Sequence, residues 1–212
     1  MPIPWYYTWS DRFFHEVLQH SMKDSAFTLV SIQNVGRLPY SKIANTLENS
    51  DKSHIVYSDS DIIIKSDVYT NLKPHIDSGT TMLFLEDDSK PSSSFMVLKV
   101  CPEVIDFFKK LDETTSIHDL IKEYKGTWAL LDKQLFTSST VWNMKNDFVI
   151  MKPLTSNLGK EFDFAEKIFT MGQHLNLDPC MQFVSEEIIQ YIYKFQEILY
   201  LSHQEVRTAG IS

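Results

Sequence analysis

The chain has 212 residues, 43% of them hydrophobic and 23% charged, which is enough apolar surface for a folded domain and excludes a disordered tail. Lys and Arg number 20 against 28 Asp and Glu, a net charge of −8, so nucleic acid and anionic membrane surfaces, which demand a basic footprint, are excluded as main partners. Two cysteines, Cys101 and Cys180, cannot build a disulfide framework or a four-cysteine zinc site; with no signal-peptide pattern over Met1 to Ser10 and no apolar run long enough to span a bilayer, the sequence reads as soluble, cytoplasmic and reduced.

Trp5 to Trp9 reads as a buried first strand. Ser10 then caps a helix with Asp11 in its first turn and Phe14, Val17, Leu18 and Met22 on one face. Phe27 to Ile32 is a strand, and Pro39 opens a helix through Asn49. Ile55 to Tyr57 is a strand that runs into Ser58, Asp59, Ser60 and Asp61, followed by Ile62 to Ile64 and a short helix or turn from Ser66 to Leu72. Thr81 to Leu85 is a strand ending at Glu86, Asp87 and Asp88; Ser89 to Ser94 is a loop, and Phe95 to Val100 another strand. Pro102 starts a helix with Val104, Phe107, Phe108 and Leu111 as its stripe, and Ile117, Leu120, Ile121 and Tyr124 mark one that ends at Gly126. Ala129 to Phe136 reads as helical, 138–178 as irregular, and Ser185 caps a final helix with Ile188, Ile192, Phe195 and Leu199 on one face.

Strands alternating with helices predict an α/β fold with a mostly parallel central sheet flanked by helices. We expect one domain over 1–212, with 1–100 binding the ligand and 101–212 completing a cleft. Only 6 glycines are present, and neither a Walker loop nor a dinucleotide-binding glycine motif occurs.

The most informative feature is Asp59-Ser60-Asp61 at a strand end. Open α/β sheets bind ligands beyond the carboxyl ends of their strands. Two carboxylates separated by one residue repel unless a cation neutralises them. Hard oxygen ligands suit Mg²⁺ or Mn²⁺, which leave positions open for phosphate oxygens. A solvated acidic turn is the competing reading.

The segment HIVYSDSDIII, His54 to Ile64, resembles the DxD region of GT-A fold glycosyltransferases. Ser92 to Leu111 resembles the downstream strand and helix of that family, with Ser93 and Ser94 where a glycine-containing pair is usual. Asp132 and Gln134 are similar to a later acidic element that Lys133 splits. The compact length is most similar to small viral members of the family. The resemblance implies transfer of a hexose or deoxyhexose from a UDP-sugar to a hydroxyl of a glycan or glycoprotein, a viral capsid protein among the possible acceptors, in the (host) cytoplasm. It implies Tyr7, Thr8 and Trp9 at the uridine, Arg12 near the phosphates, Ser58 beside the ribose, and Asp59 and Ser60 in the donor site. It also implies Asp59 and Asp61 on Mn²⁺ or Mg²⁺, with His174 as a third ligand, and a base on the acceptor side drawn from Asp132, Asp87 and Asp88.

Each residue has a plainer reading. The aromatics of the first strand suit a core, Arg12 suits a surface ion pair, His174 suits a surface or core-capping histidine, and Asp87 and Asp88 suit a solvated loop. At the level of the whole chain, a phosphatase of the haloacid-dehalogenase type and an inactive sugar-nucleotide-binding module are the alternatives. The first needs more chain between its motifs than lies between Asp61 and Asp88. The second is opposed by the presence of both carboxylates.

Overall fold

The computed structural model describes residues 2–22, 26–33, 39–111, 115–139, 147–155 and 159–209. In chain order, β1 (Ile3–Trp9), α1 (Arg12–Ser21), β2 (Phe27–Gln33), α2 (Tyr40–Glu48) and β3 (His54–Asp59) come first. They are followed by β4 (Ile63–Ile64), α3 (Val68–Asp77), β5 (Met82–Asp87), β6 (Lys90–Lys99), α4 (Pro102–Lys110) and α5 (Ile117–Leu120). The rest is β7 (Trp128–Leu130), β8 (Phe136–Ser139), β9 (Ile150–Pro153), α6 (Lys160–Gly172), a 3₁₀ segment (Asp178–Phe183) and α7 (Glu186–Ala209).

Six strands form the central sheet in the order β2-β1-β3-β6-β5-β7. The pairs β1/β2, β1/β3 and β5/β7 are parallel, and β6 runs antiparallel to both of its neighbours. Five of the six strands therefore point one way, as the alternation predicts. The first five residues of β3 are all buried, the pattern of a central strand covered on both faces. Its Ile55 and Tyr57 pack with Ile43 and Leu47 of α2 and with Val104 and Phe108 of α4. Its Val56 packs on the opposite face with Trp5, Leu18 of α1, and Val68 and Leu72 of α3. Each such large side chain contributes about 1.5–3 kcal/mol when fully buried.

A second, three-stranded sheet, β4-β9-β8, sits where β3 ends. Phe13, Phe14 and Val17 of α1 join its Ile63 and Met151, and Ile168 and Met171 of α6, in a third apolar cluster. That cluster fixes the position of α6 against the acidic strand end.

Four sequence expectations are corrected. Asp11, not Ser10, caps α1: its backbone is extended and its carboxylate accepts a hydrogen bond from Phe13 N at 2.8 Å. Ser89 to Ser94 is not a loop, because β6 already begins at Lys90. Asp87 pairs with Lys90 around a two-residue turn in which Asp88 (φ +48°) and Ser89 (φ +62°) are both left-handed. Such a turn matches the strand twist and needs only two residues. Ala129 to Phe136 is not a helix: β7 pairs in parallel with Met82 to Phe84, and a turn anchored on the Asp132 carbonyl leads into β8. The stretch 138–178 is not irregular throughout, since it contains β9 and α6. Ser185 does cap α7, its hydroxyl accepting from Ile188 N; the Leu199 side chain lies outside the described residues.

Candidate active site

Strands β1 and β3 lie in register with Thr8 level with Asp59, so both chain segments leave the sheet at the same carboxyl edge. β1 turns into α1 through Ser10 and Asp11, and β3 turns into β4 through Ser60 and Asp61. Between these turns lies a cleft of about 410 Å³ lined by Thr8, Trp9, Ser10, Asp11, Phe14, Asp59, Ser60, Asp61, Lys152, Phe164 and Lys167.

Four of the residues expected in a donor site line this cleft: Thr8, Trp9, Asp59 and Ser60. Thr8 is buried and its hydroxyl lies 3.3 Å from the Tyr57 hydroxyl. Trp9 stacks on His15 with centroids 4.4 Å apart. Its indole nitrogen is buried with no hydrogen-bond partner among the described residues.

Three others point elsewhere. Tyr7 is wholly buried, and its hydroxyl meets His15 Nδ1 at 2.8 Å and accepts from Gln19 at 2.6 Å. Burial, only partly offset by hydrogen bonds with Gln19 and Ser31, raises its pKa. Ser58 is a core residue whose hydroxyl accepts from Trp5 Nε1 at 2.8 Å. Arg12 is exposed, pairs with Glu16 at 3.3 Å and lies over the Phe183 ring at 4.3 Å. The alternation of β1 explains Tyr7: Trp5 and Tyr7 share the core cluster on one face of the sheet.

The sequence reading missed the basic half of the site. β4 follows Asp61 directly and pairs antiparallel with β9, Ile63 opposite Met151. Lys152, the next residue, thereby arrives beside the acidic pair. Its ammonium donates to Asp59 Oδ2 at 2.7 Å and to Asp61 Oδ1 at 2.6 Å. From α6, Lys167 donates to Asp61 Oδ2 at 2.6 Å and lies 3.6 Å from Asp163. The cluster is largely screened from water, with the Asp61 and Lys167 side chains 14% and 11% exposed.

Burial alone would push the Asp61 carboxyl up, but the charges and hydrogen bonds of Lys152 and Lys167 outweigh it and hold the pKa below the ordinary value. For Lys152, burial opposes the charged form, and Asp61 and Asp59 overcome it and raise the pKa. Asp11 is shifted up, because burial outweighs its hydrogen bonds to the Phe13 and Phe14 amides.

This arrangement bears on a divalent cation. Mg²⁺ and Ca²⁺ take oxygen ligands at about 2.0–2.6 Å. Both oxygens of Asp61 and one of Asp59 are already bonded to ammonium groups, and an ion bridging the pair would have to displace Lys152. Among the described residues no three His, Cys, Asp or Glu side chains gather as a metal-ligand group. His174 does not line the cleft. It lines a separate cavity of about 650 Å³ with Lys65, Asn176 and Cys180, edge-on to Phe148. Burial and nearby Lys65 lower its pKa. The acidic pair, as it stands, does not fit a divalent ion.

None of the three expected bases lines the cleft. Asp87 and Asp88 are exposed at the tip of the β5/β6 hairpin. The β5/β6 register shifts between Phe84 and Leu85, and Asp87 stands only three residues along β5 from the Phe84–Met96 pair, so the hairpin projects roughly 10 Å beyond that pair. Asp132 is exposed in the β7–β8 turn, its carboxylate accepting from Gln134 N at 2.8 Å. Its expected helical setting, lined by Leu131 and Leu135, is absent.

No protein-family model matches the chain, and comparison with curated proteins gives no match. Solved structures do match. A glycosyltransferase involved in the glycosylation of the major capsid of PBCV-1 aligns with a TM-score of 0.56 at 9% identity, over 82% of this chain and 100% of that one. The fold is GT-A. The apo WbbM bifunctional glycosyltransferase aligns with a TM-score of 0.54 at 10% identity, over 86% of this chain and 51% of that one; this chain spans about half of WbbM. Among the described residues, no helix of this GT-A chain is long and apolar enough to cross a membrane.

Proposed function

We propose that this protein is a glycosyltransferase that moves a hexose or deoxyhexose from a UDP-sugar to a hydroxyl of a glycan or glycoprotein, a viral capsid protein being one candidate acceptor. The observation that carries this reading is the cleft at the carboxyl edge of a GT-A sheet, where Thr8, Trp9 and the Asp59–Asp61 turn meet two lysines. Ligands of open α/β sheets bind at such edges, and ammonium groups supply the donors that phosphate oxygens need.

In the reaction the bond between the anomeric carbon and the diphosphate oxygen breaks, and its electron pair leaves with the diphosphate. The acceptor oxygen bonds to the anomeric carbon and gives up its proton. We assign that proton to the departing diphosphate oxygen, because the expected bases Asp132, Asp87 and Asp88 lie outside the cleft. A general base has to reach the acceptor hydroxyl directly or through one water.

The test is release of the nucleoside diphosphate from a panel of sugar nucleotides, with and without simple sugar acceptors, alongside melting curves. The expected result is slow release and a raised melting temperature for one uridine donor, since ligand bound to the native state stabilises it by mass action. Hydrolysis of a generic phosphomonoester with indifference to every sugar nucleotide would instead establish the phosphatase alternative.

A further inference from the structure

We infer that this chain meets the charge of its donor with two lysines and needs no divalent cation: Lys152 Nζ stands between Asp59 and Asp61 where a bridging ion would stand, and Lys167 Nζ takes the remaining oxygen of Asp61. The inference rests on the glycosyltransferase reading above and concerns how that donor is held.

Three observations carry it. First, each carboxylate of the pair already holds an ammonium group, and Lys167 also lies 3.6 Å from Asp163. Two ammonium groups bring the same +2 to two carboxylates that one divalent ion would bring, and an additional ion would have to expel a lysine from a mostly buried position. Second, the lysines are placed by the fold. Lys152 is set by the β4/β9 pairing and Lys167 by the packing of Ile168 and Met171 of α6 against Met151 and Ile63. Third, no further ligand is at hand, because His174 belongs to another cavity and no third acidic, histidine or cysteine side chain completes a group among the described residues.

The lysines also keep capacity for a ligand. An ammonium group has three N–H donors. Lys152 uses two on the aspartates and Lys167 uses one on Asp61, and both side chains line the cleft. Each ammonium can therefore bridge an aspartate to a phosphate oxygen, the position a metal ion otherwise takes. On this assignment Asp59 and Asp61 orient the lysines, and Lys152 and Lys167 are the residues that touch the diphosphate.

The experiment uses the full chain and two probes. Mn²⁺ alone is titrated while its free electron-spin-resonance signal is followed, and UDP is titrated by calorimetry in EDTA and again in Mn²⁺. The expected results are an undiminished Mn²⁺ signal and UDP affinities that agree within about twofold, a difference of less than 1 kcal/mol. Loss of the Mn²⁺ signal at stoichiometric protein, or UDP affinity raised about tenfold or more by Mn²⁺, would overturn the inference and leave the glycosyltransferase reading standing. If none of the common nucleoside diphosphates binds in either buffer, both fall together. Lys152→Ala adds a positive control: with Asp59 Oδ2 and Asp61 Oδ1 released and only Asp61 Oδ2 still held by Lys167, the folded variant should gain Mn²⁺ binding that the parent lacks. Should that variant not fold, the titrations of the parent protein decide alone.

Discussion

Two acidic stretches leave the same edge of the same sheet, Asp59 to Asp61 at the end of β3 and Glu86 to Asp88 at the end of β5, yet they have opposite surroundings. The first is largely buried and ion-paired to Lys152 and Lys167. The second is the tip of a hairpin, with Asp87 and Asp88 exposed and Glu86 4.0 Å from the exposed Lys133. In both cases a hydrophobic strand runs into carboxylates, so nothing local separates them. What separates them is what the later chain lays across them: β9 and α6 over the first, only a turn beside the second. A strand-end acidic motif acquires its chemistry from its cover.

The sharpest test of this contrast is Lys152→Ala. Removing one partner of a buried ion pair leaves an uncompensated charge and costs about 3–5 kcal/mol, a fall of roughly 10 °C in melting temperature at this chain length. Asp87→Asn and Asp88→Asn should stay within about 0.5 kcal/mol of the parent. Comparable losses at both places in denaturant titrations would erase the distinction.

A double-mutant cycle sharpens it further. Lys167→Met with Asp61→Asn should show a coupling of about 1–3 kcal/mol, whereas Lys133→Met with Glu86→Gln should couple by less than about 1 kcal/mol, as exposed pairs do. Equal couplings would mean that α6 does not desolvate the first cluster.

Acid titration offers a third comparison. The Asp61 pKa is lowered in the folded state, so its contribution is complete above the ordinary carboxylate range and is lost as pH falls through the folded value. His54 and His174 are lowered as well, each first by burial and then by a nearby lysine, Lys99 and Lys65 respectively. Below their ordinary value of about 6.5, the unfolded chain binds protons that the folded chain refuses, so stability drops on acidification. Urea midpoints should therefore decline from neutral pH toward pH 5 because of the histidines, and decline again below about pH 4 as Asp61 protonates. His174→Gln should reduce the upper phase to the share due to His54 and leave the lower one.

The smallest expected effect is at the hairpin turn. Ser89 holds a left-handed φ of +62°, which glycine adopts without steric cost. Ser89→Gly should raise stability by at most about 1 kcal/mol, with UDP affinity unchanged because the turn lies outside the cleft.

The contrast also explains what the sequence disclosed. Through Lys110 the elements other than the first half of β6, Lys90 to Ser94, are legible because each is apolar on the face it buries, β3 throughout and α4 along Val104, Phe107 and Phe108. The Asp59–Asp61 turn was legible for the same reason, as the end of a well-marked strand. α6 was not, because Glu166, Lys167 and Thr170 are buried among its apolar residues and break the stripe that periodicity reads. The lysine that matters thus helped to hide its own helix. β9 is four residues long and ends in proline, too short to show alternation. A lysine directly after the apolar run from Phe148 to Met151 was the one available signal. Around Asp132, Leu130, Leu131 and Leu135 imitate helical spacing, although Trp128 to Leu130 completes the sheet edge.

The ion pairs of the cleft join residues 91, 93 and 106 positions apart in the chain. Closing loops of that length is entropically costly and late, whereas β1, β2 and β3 assemble from near neighbours. We therefore expect the carboxylates to remain hydrated while the sheet forms and to lose their water only when β9 and α6 dock. Contacts made after the rate-limiting step act on the escape from the native state. Weakening the Lys152 pairs should then hasten unfolding in stopped-flow measurements and leave the refolding rate close to that of the parent, so that the lifetime of the finished cleft is governed by the last segments to arrive.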